Sequence, residues 1–215
     1  MMKPIETLDD LQRGLAALRL CDPRLEAVIA LSGPLPLRRR PATLGSLMQI
    51  VVSQQVSVAS AAAIWQRFTA AYDPQQPGLI VAARPDELCA TGLSRPKVRT
   101  LQALALAAFE GRLDFAALCE RSGTDVEASL VALHGIGPWT ADIFRLFCLG
   151  DPDVFPAGDI ALQQAVGDAF ALGGRPDAAA LARMAKDWSP WRGVAARLFW
   201  AYYAQTRKKR SVLPV

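Results

Sequence analysis

The run Leu133-His134-Gly135-Ile136-Gly137-Pro138-Trp139-Thr140-Ala141 places two glycines two residues apart between two helical stretches. A turn of this kind leaves backbone N–H groups open at the start of the second helix, where unsatisfied amides and the helix dipole both favour an anion such as phosphate. The same residues also suit a plain corner, with glycine closing one helix and Pro138 opening the next. Earlier in the chain, Ser53-Gln54-Gln55 breaks an apolar helical run. Amide side chains at such a break can satisfy loose backbone groups or reach outward. Asp159 stands immediately before Ile160 at the start of another helical run, a favoured N-cap position and one that can fix a carboxylate in place. Asp142, Asp151 and Asp153 are the nearby carboxylates, the first inside a helix and the others in a loop. His134, the one histidine, is explained by an exposed turn. Cys21, Cys89, Cys119 and Cys148 form no C-x-x-C pair, which argues against a zinc or iron–sulfur site.

The elements that must position these residues have helical periodicity almost throughout. Leu8, Leu11, Leu15 and Leu18 share one face, and a second short helix runs from Asp22 to Leu31. The Pro-rich basic stretch from Gly33 to Pro41 breaks the pattern. Thr43 then caps a helix bearing Leu44, Leu47, Met48, Val51 and Val52, and helix returns from Ser57 to Tyr72. The signal weakens through Pro74, Pro77 and Pro85 and resumes at Lys97 with Leu101, Leu104, Ala105 and Ala108. Asp125–Leu133 and Thr140–Leu149 flank the glycine turn; Ile160, Leu162 and Val166 follow an extended segment, and Ser189-Pro190 is expected to open the last helix. The pattern predicts an all-α chain of two helical lobes, approximately 43–156 and 1–42 plus 157–206, followed by a basic tail at 207–215.

Charge and composition limit the partners. Lys and Arg number 24 against 20 Asp and Glu, a net charge of +4, and Arg207, Lys208, Lys209 and Arg210 equal that whole excess. A nucleic-acid partner is therefore allowed by charge but not demanded by it. Residues 41–66 carry no charge, but Gln49, Ser53, Gln54, Gln55, Ser57 and Ser60 interrupt the run too often for a membrane span. Glu6, Asp9 and Asp10 occupy the place where a secretory peptide needs an apolar run, so a cytoplasmic location with reduced core cysteines is expected.

The motif L-H-G-I-G-P-W-T-A-D, with Asp159 following in D-V-F-P-A-G-D, together with V-V-S-Q-Q-V-S at 51–57 and W-S-P-W-R at 188–192, resembles the helix-hairpin-helix DNA glycosylase superfamily. Within it, the likeness is greatest to the DNA-3-methyladenine glycosylase II group, in a compact form that starts almost directly with the helical core. The resemblance implies two lobes around a cleft and a helix-hairpin-helix motif that grips duplex DNA through Gly135, Gly137 and Thr140. It also implies that Asp159 is the catalytic carboxylate, that Trp139, Trp200 and Ile143 line the pocket for the extruded base, and that Gln55 is the wedge filling the vacated stack. Gln54, by contrast, reads as satisfying backbone groups, and Trp65, Trp188 and Trp191 as core.

Superfamily members that also cut the strand carry a hairpin lysine, and Trp139 stands at that position here; the resemblance therefore implies a monofunctional enzyme. No cofactor is implied beyond a sodium or potassium ion on the carbonyls of Val131, Leu133 and Ile136 when DNA is bound. The implied substrate is duplex DNA bearing alkylated bases of the 3-methyladenine and 7-methylguanine type, handled by a monomer in the cytoplasm, on the nucleoid if the source is bacterial. Ile143 replaces a tyrosine found in some members, which leaves base preference open. A glycosylase for other damaged bases and a non-catalytic DNA-binding protein are the competing readings.

Overall fold

The computed structural model describes residues 3–206, and the basic tail expected at 207–215 lies outside them. Every regular element among the described residues is helical. The first unit opens with α1 (Leu8–Cys21) and α2 (Leu25–Ser32). The second unit is then built from α3 (Leu44–Ser53), α4 (Val58–Ala71), α5 (Pro77–Ala82), α6 (Pro85–Ala90), α7 (Arg95–Phe109), α8 (Phe115–Cys119), α9 (Gly123–Val131) and α10 (Pro138–Phe144). The chain returns to the first unit with a π turn (Arg145–Leu149), α11 (Ile160–Ala169), α12 (Ala178–Met184), a 3-10 turn (Ala185–Trp188) and α13 (Arg192–Thr206).

In the first unit, residues 3–39 and 145–206, α13 is the central helix and is buried without interruption from Gly193 to Tyr202. It packs on α1, α2 and α11, as a helix with no wide polar face must. Close approach to α1 occurs at Gly14, where a Cβ would come within 2.6 Å of Val194 and 2.8 Å of Trp191. Trp188 is fully buried, and its Nε1 donates to Asp22 Oδ2 at 3.0 Å. Asp22 is also gripped by Arg24, whose Nε and Nη2 each donate at 2.8 Å and hold the carboxyl below its ordinary value.

The stretch 145–156 belongs with this unit and not, as the periodicity predicts, with residues 43–144. Its ties explain why. Arg145 pairs with Asp151 at 2.8 Å, Gly193 N–H donates to the Pro152 carbonyl at 2.7 Å, Arg192 pairs with Asp153 at 2.7 Å, and Ile5 N–H donates to the Gly150 carbonyl at 2.8 Å. The buried Arg197 adds a bond from Nη2 to the Leu146 carbonyl at 2.9 Å, and burial, aided by the charge of Arg39, pushes its guanidinium down to about 9.

Residues 40–144 form the second unit, whose core contains Leu47, Met48, Val51, Phe68, Leu101, Leu104 and Leu130. Helix starts follow side-chain chemistry: Thr43, Ser57 and Ser122 each accept an amide of the first turn of α3, α4 and α9. Pro77 and Pro85, which weaken the periodic signal, in fact open α5 and α6, where a missing N–H is harmless.

Three further expectations are corrected. The helix expected over 140–149 is α-helical only to Phe144, after which it widens into the π turn, whose Phe147 and Cys148 carbonyls accept from Arg39 Nη1. The last helix starts at Arg192; Ser189 ends the 3-10 turn and its Oγ donates to Asp153 Oδ2 instead of capping a helix. Cys21 and Cys119 are exposed near helix ends, their thiols directed to the carbonyls of Leu18 and Phe115, so of the four cysteines only Cys148 is a buried one.

Candidate functional site

The carboxylate with the clearest chemical setting is Asp159. It is the N-cap of α11: its Oδ1 accepts Leu162 N–H at 3.0 Å, while Trp200 Nε1 donates to the same oxygen at 3.2 Å. Asp159 is 9% exposed and Trp200 2%. The indole of Trp200 stacks on Phe147, with ring centroids 5.8 Å apart, and the Arg197 guanidinium lies 5.0 Å from the Phe147 centroid. Cap, indole and the stacked ring thus hold one carboxylate oxygen from two directions within the first unit. Sequence reasoning links Asp159 and Trp200 only through resemblance; here they are bonded directly. The two loop carboxylates are occupied elsewhere, Asp151 with Arg145 and Asp153 with Arg192 and Ser189.

In the second unit, α9 and α10 are joined by the glycine turn. Gly135 has φ +78°, and a Cβ there would lie 1.9 Å from Thr100 Oγ1 on α7. Its missing side chain therefore makes room for the protein's own threonine. Gly137 has open space within 4 Å and is the glycine that leaves the backbone approachable. His134 is exposed and Trp139 half-buried, whereas Ile136 and Ile143 belong to the core. Thr140, expected on DNA, is 2% exposed, and its Oγ1 accepts Gln54 Nε2 at 2.7 Å. Of the carbonyls expected to hold a cation, that of Leu133 accepts Ile136 N–H at 3.1 Å and retains a second lone pair. All three are neutral oxygens, a donor set that suits a weakly held alkali ion.

The α3–α4 turn separates its two glutamines. Gln54 is half-buried and bound to Thr140, a side-chain partner in place of the backbone groups expected. Gln55 is exposed, makes no hydrogen bond among the described residues, and has φ +56°. A left-handed conformation at a residue other than glycine costs on the order of 1–3 kcal/mol and survives only where the surroundings impose it. Lys97, which no sequence motif marks, is part of those surroundings: its Nζ donates to the carbonyls of Val52 at 2.7 Å and Gln54 at 2.8 Å.

The family described as "HhH-GPD superfamily base excision DNA repair protein" matches residues 48–190, a span that includes the α3–α4 turn, the hairpin and Asp159. DNA-3-methyladenine glycosylase 2 of Escherichia coli is 30% identical over 199 residues, covering 84% of this chain and 66% of the relative. The crystal structure of a DNA-3-methyladenine glycosidase from Bacillus halodurans superposes with a TM-score of 0.78 at 28% identity, covering 92% of each chain. A Schizosaccharomyces pombe 3-methyladenine DNA glycosylase, Mag1, solved in complex with abasic DNA, has the same fold at a TM-score of 0.79 and 23% identity, covering 94% of this chain and 99% of that one. The chain spans 56% and 37% of the length of the first curated relatives it matches. No helix among the described residues is long and apolar enough to cross a membrane. On the family match, this chain belongs to the HhH-GPD superfamily of base excision DNA repair proteins.

Proposed function

We propose that the chain is a monofunctional DNA glycosylase that removes alkylated bases, of the 3-methyladenine and 7-methylguanine type, from duplex DNA by extruding the damaged nucleotide. The observation that carries this reading is the Asp159 carboxylate fixed at one oxygen by the α11 cap and by Trp200. Cleavage of an N-glycosidic bond develops positive charge on the sugar, and a pre-positioned carboxylate stabilises that charge without having to reorganise. The bonding pair leaves with the base; a base already cationic from methylation departs neutral. Water adds its hydroxyl to the anomeric carbon and gives up a proton, leaving an abasic site.

Within this reading Trp139 is the stacking surface for a cationic base, and Trp200, which shows almost no surface, orients Asp159. The hairpin binds phosphate through amides near Gly137, with an alkali ion on the carbonyls of Val131, Leu133 and Ile136 bridging turn and phosphate; Gln55 fills the gap left by the extruded base. Lyase chemistry needs a free amine at the sugar. Trp139 occupies the hairpin position, and the half-buried Lys97 is committed to two carbonyls.

Asp159→Asn tests the reading. Asparagine caps helices as well as aspartate, so the fold and DNA binding are expected to persist while release of methylated base from alkylated duplex falls at least about a hundredfold, the scale of losing one placed electrostatic group. The wild-type product strand is expected to stay intact until heated in alkali, with no adduct trapped by borohydride. Release near the wild-type rate by the variant, or efficient trapping, refutes the assignment.

A further inference from the structure

Two carbonyls at the end of α3 share one ammonium group. Lys97, in the first turn of α7, donates to the Val52 and Gln54 carbonyls, and these are its only hydrogen-bond partners among the described residues. No carboxylate faces it, and burial pushes its ammonium below the ordinary lysine value. A cation partly removed from water and answered only by backbone dipoles is an expensive way to end a helix, since water or a short polar side chain can do the same.

What the arrangement adds is control over the next residue. Gln54 is held at its carbonyl by Lys97 and at its side chain by Thr140. Gln55 follows at φ +56°, exposed and unbonded. One turn further along α7, at the i+3 position that shares a face with Lys97, Thr100 occupies the space left by Gly135 in the hairpin. A single helix face therefore braces both turns that the proposed function places on DNA.

We propose that Lys97 is a positioning residue for base extrusion: by fastening the carbonyls of Val52 and Gln54 it holds the α3–α4 turn in the left-handed form that presents Gln55 ready-made to the base stack. This rests on the glycosylase reading. A cap that merely stabilised α3 would affect every substrate equally, whereas a brace for the wedge matters most where a base must be pulled from an intact pair, because a mispaired base is already partly unstacked.

The experiment compares Lys97→Met, which keeps the stem and removes the donors, with Lys97→Arg, which keeps charge and donors. Release of alkylated base is measured on fully paired and on mispaired duplexes, below the melting temperature of each variant, and hydrogen exchange is followed across residues 50–57. Lys97→Met is expected to lose about tenfold or more on paired DNA, but no more than about threefold on mispaired DNA. Exchange is expected to quicken across 50–57, and Lys97→Arg to recover part of both effects. Equal losses on the two duplexes, or unchanged exchange at 50–57, overturn the proposal. Should Lys97→Met fail to fold, Lys97→Gln carries the same comparison with the same expected and refuting outcomes. A wild-type chain that releases no alkylated base defeats the glycosylase reading instead, and exchange across 50–57 then decides alone whether Lys97 fastens the turn.

Discussion

Replacing Gln55 by glycine and by alanine separates what its backbone does from what its side chain does. The left-handed backbone at φ +56° disfavours an L-residue by roughly 1–2 kcal/mol relative to glycine. Glycine, in turn, frees the unfolded chain and gives back about 0.4–1 kcal/mol. Gln55→Gly is therefore expected to stabilise the fold by roughly 0.5–1 kcal/mol, which for a chain of this size raises the melting temperature by about 1–4 °C. Gln55→Ala keeps the strain, and since the glutamine side chain is exposed and unbonded, its melting temperature is expected to stay within about a degree of wild type. Both variants lose the group that supports the vacated stack. If that support supplies about 1.4 kcal/mol of the few needed for extrusion, excision from paired duplex falls about tenfold for each. Thermal melts together with base release from paired and mispaired duplexes make the measurement. A glycine variant that melts below the alanine variant refutes the left-handed turn, and two fully active variants refute the wedge.

Gly135→Ala is expected to cost about 2–4 kcal/mol of stability, because its Cβ would meet Thr100 Oγ1 at 1.9 Å in a backbone conformation that L-residues avoid. Denaturant unfolding is the measure, and Thr100→Ala in the same chain is expected to recover part of the loss; additive losses would remove the contact. For Asp22, the folded carboxyl is depressed by the Arg24 hydrogen bonds, so its stabilisation is present above the unfolded value near 4 and is lost as pH falls through the lower folded value. The stability difference between wild type and Asp22→Asn is expected to shrink as pH drops below about 4, and a gap that widens there would contradict the pairing.

The parts of this fold governed by nearest neighbours in sequence were the parts legible in it. Thr43, Ser57 and Asp159 cap the helices that follow them, as short polar side chains before an apolar run indicate. The glycine turn was visible from its spacing, but not the reason for Gly135, which lies in Thr100 on another helix. The placement of 145–156 escaped periodicity because its decisive bonds are distant, such as Arg197 to the Leu146 carbonyl 51 positions away. Thr140 and Lys97 likewise take their settings from partners distant in sequence. A threonine in a hairpin helix looks exposed until Gln54 is found beside it, and a lysine after Arg95-Pro96 looks solvated until two carbonyls, 45 and 43 positions back, are found on its ammonium.

That ammonium also divides the proposed work of the protein along an axis of ionic strength. Grip on phosphate releases counterions and weakens steeply as salt rises. The brace has no counterion to lose: Lys97 is half-buried, its partners are neutral carbonyls within hydrogen-bond reach, and added salt screens such contacts little. Raising the salt therefore thins the population of captured duplex without loosening the turn that acts on it. Each molecule that still binds meets DNA with the same poised Gln55, and the step after capture keeps its rate while the number of captures falls.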